Sequence, residues 1–221
     1  MSNLLIDLSH SIEHGMVTYK GLPAPIMCDY LSREDSRGRY APGTEFQIGK
    51  IEMVANTGTY VDCPFHRYAD GKDLCQTGLQ AFANLKAITI HADFRNGIEI
   101  GRSFFEQADV RGKAVLVNTN WSLHWRTDQY FENHPFLTED AAIYLRDKGV
   151  KLVGIDSHNI DDTRTNTRPV HSILLRADIL IVEHMCNMSK LPDDGYYFNA
   201  VPPKIKGMGT FPVRAYAELR E

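Results

Sequence analysis

With 221 residues, 43% of them hydrophobic and 24% charged, the chain can bury a substantial core, and residues 1–221 read as a single domain. A formal net charge of −4 offers no basic footprint for nucleic acid. No apolar run approaches the length of a membrane span, and Leu4-Leu5-Ile6 before Asp7 is too short for a secretory leader, so a cytoplasmic protein without membrane contact is expected.

From Gly15 to Gly43 the chain is rich in proline, glycine and charge, which predicts a long irregular arm of the kind that covers a site or meets another subunit. Apolar residues then alternate from Phe46 through Ile48, Ile51, Met53 and Ala55, with a change of parity at Gly49-Lys50 that predicts a bulge. If the strand runs on in that register, Asn56, Gly58, Tyr60 and Asp62 share one polar face. Pro64 cannot occupy an interior ladder position, so the strand should stop near Asp62 and release His66 beside it. The four cysteines, at 28, 63, 75 and 186, have no CxxC spacing and are expected to be free thiols.

The second half reads as βα units. Short apolar runs at 114–117, 151–155 and 179–182 predict buried strands. Each ends in a polar residue, Asn118, Asp156 and Glu183, and all three are expected to face one crevice outside the carboxyl ends of the strands. A helix is predicted between the first two, with Thr138 as N-cap, Lys148 in its last turn and Gly149 as its stop. A shorter helix is predicted from Pro169, carrying His171. The fold class is therefore mixed α/β, a central mixed sheet or partial barrel with flanking helices.

Asp62, His66, His171 and Glu183 are the residues to connect. Singly, each has an ordinary reading, a satisfied histidine or a loop acid. Together, a carboxylate on a polar strand face, a histidine four residues on and a glutamate ending a buried strand supply what a hard-to-borderline divalent metal needs. His158 and His184 follow two of the strand-end acids. His184 should turn away from a metal on Glu183, as should Cys63 from one on Asp62, because neighbours on a strand face opposite ways; His158 is the better supplementary ligand.

The stretch Asn56-Thr57-Gly58-Thr59-Tyr60-Val61-Asp62-Cys63-Pro64-Phe65-His66 resembles the His-x-Gly-Thr-His-x-Asp-x-Pro-x-His signature of the cyclase family that includes bacterial kynurenine formamidases and isatin hydrolases. Gly58, Thr59, Asp62, Pro64 and His66 match, while Asn56 and Tyr60 stand where the family has its first two histidines. Gly154-Ile155-Asp156, Pro212-Val213-Arg214-Ala215 and other ordered landmarks extend the likeness over nearly the whole chain. The resemblance implies a cyclase-like swivelling β/β/α fold. It implies a metal held by Asp62, His171 and Glu183, a proton relay at His66, a substrate contact at Tyr19, and a second metal position degenerate at Asn56 and Tyr60. One zinc or manganese ion per chain, a small-molecule substrate and a homo-oligomer, dimer or tetramer, follow as expectations. The expected reaction is hydrolysis of a carbonyl C–N or C–O bond in a small amide, formamide, lactam or lactone. A non-catalytic small-molecule-binding descendant is the alternative, and a third reading has Tyr60 act as an acid or oxyanion donor in the space of the missing metal.

Overall fold

The computed structural model describes residues 4–220. In chain order the strands are β1 (Leu4–Asp7), β2 (Ile26–Leu31), β3 (Ile48–Glu52), β4 (Tyr60–Asp62), β5 (Leu85–His91), β6 (Glu99–Ile100), β7 (Ala114–Asn118), β8 (Phe136–Leu137), β9 (Leu152–Ile155), β10 (Leu180–Glu183), β11 (Tyr196–Asn199), β12 (Thr210–Pro212) and β13 (Tyr216–Leu219). Nine of them form one curled mixed sheet in the order β1-β13-β11-β5-β7-β9-β10-β4-β12. Its centre, β5-β7-β9-β10, is parallel; both flanks are antiparallel.

The parallel centre explains the continuous apolar runs, since both faces are covered. One face packs Val61, Leu116, Leu152, Leu180 and Val182 into one core. The other packs Val115, Val117, Val153, Ile155 and Ile181 beneath helices α2 (Glu139–Asp147) and α3 (Pro169–Arg176), after the four-residue turn α1 (Arg33–Ser36) in the N-terminal arm. Each fully buried Leu, Ile or Val contributes about 1.5–3 kcal/mol relative to exposure. Helix α2 starts after Thr138 and ends at Gly149 with φ +69°, as its terminal residues predict. The Thr138 hydroxyl, however, donates to Asp140, with the Ile100 carbonyl 3.3 Å away, rather than capping a backbone N–H.

The strand expected to run unbroken from Phe46 to Asp62 is two strands. β3 pairs only with β2, in a two-stranded hairpin outside the main sheet, whereas β4 lies between β10 and β12. Gly58 turns the chain between them at φ +66°, and a Cβ there would meet Ile12 Cγ1 at 2.9 Å. The register irregularity falls on β2, between Asp29 and Leu31, and not at Gly49-Lys50. The alternation from Ile48 to Met53 signalled no buried face: Ile48 and Ile51 are exposed, as are Ile26 and Tyr30 opposite.

Candidate active site

β4 is three residues long, yet its register assembles the pocket floor. In the antiparallel ladders Tyr60 lies opposite Glu183 of β10, and Asp62 lies opposite Thr210 of β12. Tyr60 and Asp62 share the face bearing the helices while Val61 enters the opposite core. The Tyr60 hydroxyl donates to Glu183 Oε2 at 2.7 Å, and the Ile160 N–H donates to Glu183 Oε1 at 2.7 Å. Helix α3 brings His171 over this floor, its Nε2 lying 3.7 Å from Asp62 Oδ2 and 3.7 Å from Glu183 Oε1.

His171 is oriented from behind. Asp161 accepts from the Val170 N–H at 2.7 Å and the His171 N–H at 3.0 Å, satisfying free donors at the start of α3, and it lies 2.6 Å from His171 Nδ1. An ionised Asp161 can only accept, so His171 carries hydrogen on Nδ1 and directs Nε2 at the two floor carboxylates. Asp62 Oδ2 is buried and has no hydrogen-bond partner. Three electron-rich atoms thus converge with no donor among them unless a cation or an extra proton joins them.

Electrostatics carry the same message. Burial opposes charge on His171, but Glu183, then the hydrogen bond to Asp161 and the nearby Asp62 carboxylate, outweigh it and raise its pKa well above the ordinary histidine value. Burial, reinforced by Asp62 and opposed by His171, Tyr60 and the Ile160 N–H, raises Glu183. The Tyr60 phenol is likewise raised, by burial first and then by Glu183 and Asp62, and stays neutral.

The cavity above this floor has a volume of about 450 Å³, and its wall includes Tyr19, Asn56, Tyr60, Asp62, His66, His171 and Glu183. All seven residues singled out in the sequence therefore border one space. Among the described residues, Asp62, His66 and His171 bring ligand-type atoms within 4.8 Å of one another. That trio has His66 where the sequence expectation has Glu183, although Glu183 Oε1 lies as close to His171 as Asp62 does.

Three expectations do not hold. Asn118 and Asp156 do not reach the cavity, although they end neighbouring strands. Asn118 Nδ2 lies 3.2 Å from His91 Nδ1, while Asp156 Oδ1 accepts from the Thr119 N–H at 2.7 Å and the Thr119 hydroxyl at 2.6 Å, fixing the loop after β7. Of the three strands, only β10 adjoins β4. His158 is no supplementary ligand either; its ring packs 4.3 Å from Tyr19, outside the cavity wall. His184 turns away and meets the Tyr130 hydroxyl at 2.9 Å, and Cys63 enters the core on the other face.

Sequence reasoning missed Asn159, which donates to the Tyr19 hydroxyl at 2.8 Å, as well as Arg67 and Arg168 on the cavity wall. Arg67 follows His66 directly, which was a usable signal. Thr210 lies far from its targets in sequence and had none, and Asp161, ten residues before His171, was passed over.

A family model described as "Putative cyclase" matches residues 6–162. The chain belongs to the cyclase family. It is 27% identical over 211 residues to kynurenine formamidase of Bacillus anthracis, covering 95% of each chain. A solved structure described as a potential metal-dependent hydrolase with cyclase activity superposes with a TM-score of 0.80 at 25% identity over the whole of both chains. Isatin hydrolase A from Labrenzia aggregata shares the fold, with a TM-score of 0.84 at 19% identity over 99% of this chain and 94% of that one. Among the described residues, no helix is long and apolar enough to cross a membrane.

Proposed function

We propose that this member of the cyclase family is a metal-dependent hydrolase of a small amide, formamide, lactam or lactone, with one divalent metal per chain. The observation that carries the reading is the partnerless Asp62 Oδ2 facing His171 Nε2, with Glu183 Oε1 on the other side of that nitrogen. Asp62, His171 and Glu183 would hold the ion. One imidazole and two carboxylates suit zinc, and their oxygen-rich character suits manganese nearly as well. When bound, such an ion supplies Lewis acidity, polarising a carbonyl and making water nucleophilic near neutral pH.

The chain's own groups supply the rest. His66, on the cavity wall, is suited to take a proton from the attacking water and return it to the departing nitrogen or oxygen. Tyr19, tied down by Asn159 and backed by the His158 ring, offers a flat aromatic face to a substrate. Tyr60 commits its proton to Glu183 Oε2, so that carboxylate oxygen is already engaged by the residue standing in the second metal position. That bond supports a single ion and opposes the reading in which Tyr60 is a free oxyanion donor. The exposed apolar residues of the β2–β3 hairpin, Ile26, Tyr30, Ile48 and Ile51, support a homo-oligomer, dimer or tetramer, which light scattering would test.

Elemental analysis of protein purified without added metal, together with a hydrolysis screen of formamides, lactams and lactones, tests the function. One zinc or manganese per chain with turnover of a substrate supports it; protein that cannot be loaded with either metal sinks it. The loss of both signature histidines at Asn56 and Tyr60 favours a second reading, a non-catalytic binder, which predicts ligand stabilisation without turnover. Asn56→His with Tyr60→His should raise metal content from one to two per chain, and Tyr60→Phe that leaves activity and metal content unchanged removes any catalytic role for the phenol.

A further inference from the structure

Thr210 is buried and does not line the cavity, yet it touches both chemically active side chains of the floor. Its placement follows from the β12–β4 ladder, which sets it opposite Asp62. Gly209 permits the approach: its carbonyl accepts from the Cys63 N–H at 2.8 Å, and a Cβ on it would collide with the backbone of His66. The Thr210 hydroxyl consequently donates to Asp62 Oδ1 and lies 2.8 Å from His66 Nδ1. The direct His66 Nδ1 to Asp62 Oδ1 distance is 3.6 Å, so the hydroxyl is the link between them.

A hydroxyl has one hydrogen. The Asp62 carboxylate can only accept, so that hydrogen goes to Asp62 and the hydroxyl oxygen must accept from His66. We infer that Thr210 is a positioning residue that holds hydrogen on His66 Nδ1, which leaves Nε2 as the proton-accepting nitrogen. This deepens the hydrolase reading and rests on it. With Nδ1–H committed to Thr210, Nε2 takes a proton as water oxygen bonds to the substrate carbonyl carbon. The resulting imidazolium returns that proton to the leaving nitrogen or oxygen as the carbonyl C–N or C–O bond breaks, and neutral His66 with hydrogen on Nδ1 is restored. The pairing also removes one nitrogen from metal chemistry: coordination through His66 Nδ1 would require displacing the Thr210 hydroxyl.

Thr210→Val removes the hydroxyl at nearly constant volume, and Thr210→Ser retains it. Three measurements on the intact protein decide the matter: ¹⁵N chemical shifts of the His66 ring, zinc affinity with zinc alone as the probe, and steady-state hydrolysis of N-phenylformamide or of whichever amide the screen identifies. In Thr210→Val the His66 shifts should move from the Nδ1–H tautomer toward a mixture. Zinc stoichiometry should stay at one with affinity changed less than about threefold, and kcat should fall about 10- to 100-fold with KM nearly constant. Thr210→Ser should restore all three. The inference is overturned by an unchanged His66 tautomer in Thr210→Val, by a zinc affinity that collapses as far as in Asp62→Asn, or by a shifted tautomer with undiminished kcat. A wild-type protein that shows the tautomer response but hydrolyses nothing supports the positioning of His66 by Thr210 and refutes the hydrolase reading instead.

Discussion

The histidines of the pocket floor and those packed behind Tyr19 are treated oppositely by their surroundings. His66 and His171 each have an oxygen partner for Nδ1, Thr210 and Asp161, and His171 faces two carboxylates. His10, His158 and His184 pack in an aromatic cluster with Trp125, Tyr130 and Tyr19, and each keeps a buried ring nitrogen with no partner. Burial acts on both groups. On the floor, nearby acids overcome it and His171 is raised; in the cluster nothing does, so His10 is lowered to about 4 and His158 to about 3. The same residue type thus serves as a site for positive charge in one place and as an apolar plate in the other, and the difference lies in whether an acid stands within reach.

The sharpest way to break this contrast is to remove the floor imidazole. His171→Ala should lose the bound ion by elemental analysis and reduce turnover by about 10³-fold or more, whereas His184→Asn, on the other side of β10, should leave the ion count at one. Asp161→Asn replaces one of the two acceptor oxygens behind His171 with a donor and removes the charge, and should weaken metal affinity about 10- to 100-fold in a competition titration, with His171 less firmly held in the Nδ1–H form. The cluster predicts the reverse response to acid. Its neutral histidines protonate in the unfolded chain near pH 6.5 but resist protonation when folded, so their contribution is complete above that pH and is lost as pH falls toward about 3. At pH 5, His158 alone should cost about 2 kcal/mol relative to pH 8. His158→Phe should flatten that part of the urea-midpoint profile; an unchanged slope between pH 8 and pH 5 would show that His158 has found a partner in solution.

A smaller effect distinguishes the acids. Burial raises Asp156 to about 6 despite its bonds from Thr119, so its contribution to stability is complete below about pH 4, declines as pH rises to 6 and is flat above. Asp156→Asn keeps an acceptor for Thr119 and removes the titration. Relative to wild type it should gain up to about 2–3 kcal/mol between pH 4 and pH 7. Activity at pH 7 should be retained, because Asp156 lies outside the cavity.

Much of this was legible in the chain. The apolar runs that became β7, β9 and β10 announce themselves because a parallel centre buries both faces, and α2 and α3 announce their ends through Thr138, Gly149 and Pro169. Tyr60 and Asp62 border the cavity together because β4 is short and stopped by Pro64, so its side chains are fixed by parity alone. The break between β3 and β4 was not legible, since a period of two says that a segment is extended but not which sheet it joins. Nor was the separation of Glu183 from Asn118 and Asp156: each ends a parallel strand, but only strand order decides which adjoins β4. Thr210 gave no local signal, because its importance arises only when distant pieces of chain meet.

The span between Asp62 and Thr210 is 148 residues, closed by a ladder of three residue pairs. During synthesis, Asp62 leaves the ribosome long before the strand that will complete its surroundings exists. Until then its carboxylate lacks the Thr210 hydroxyl. The nascent protein therefore completes this pocket late, as one of the longest-range events of folding, and a chain halted before residue 210 would carry most of the core but no finished pocket floor.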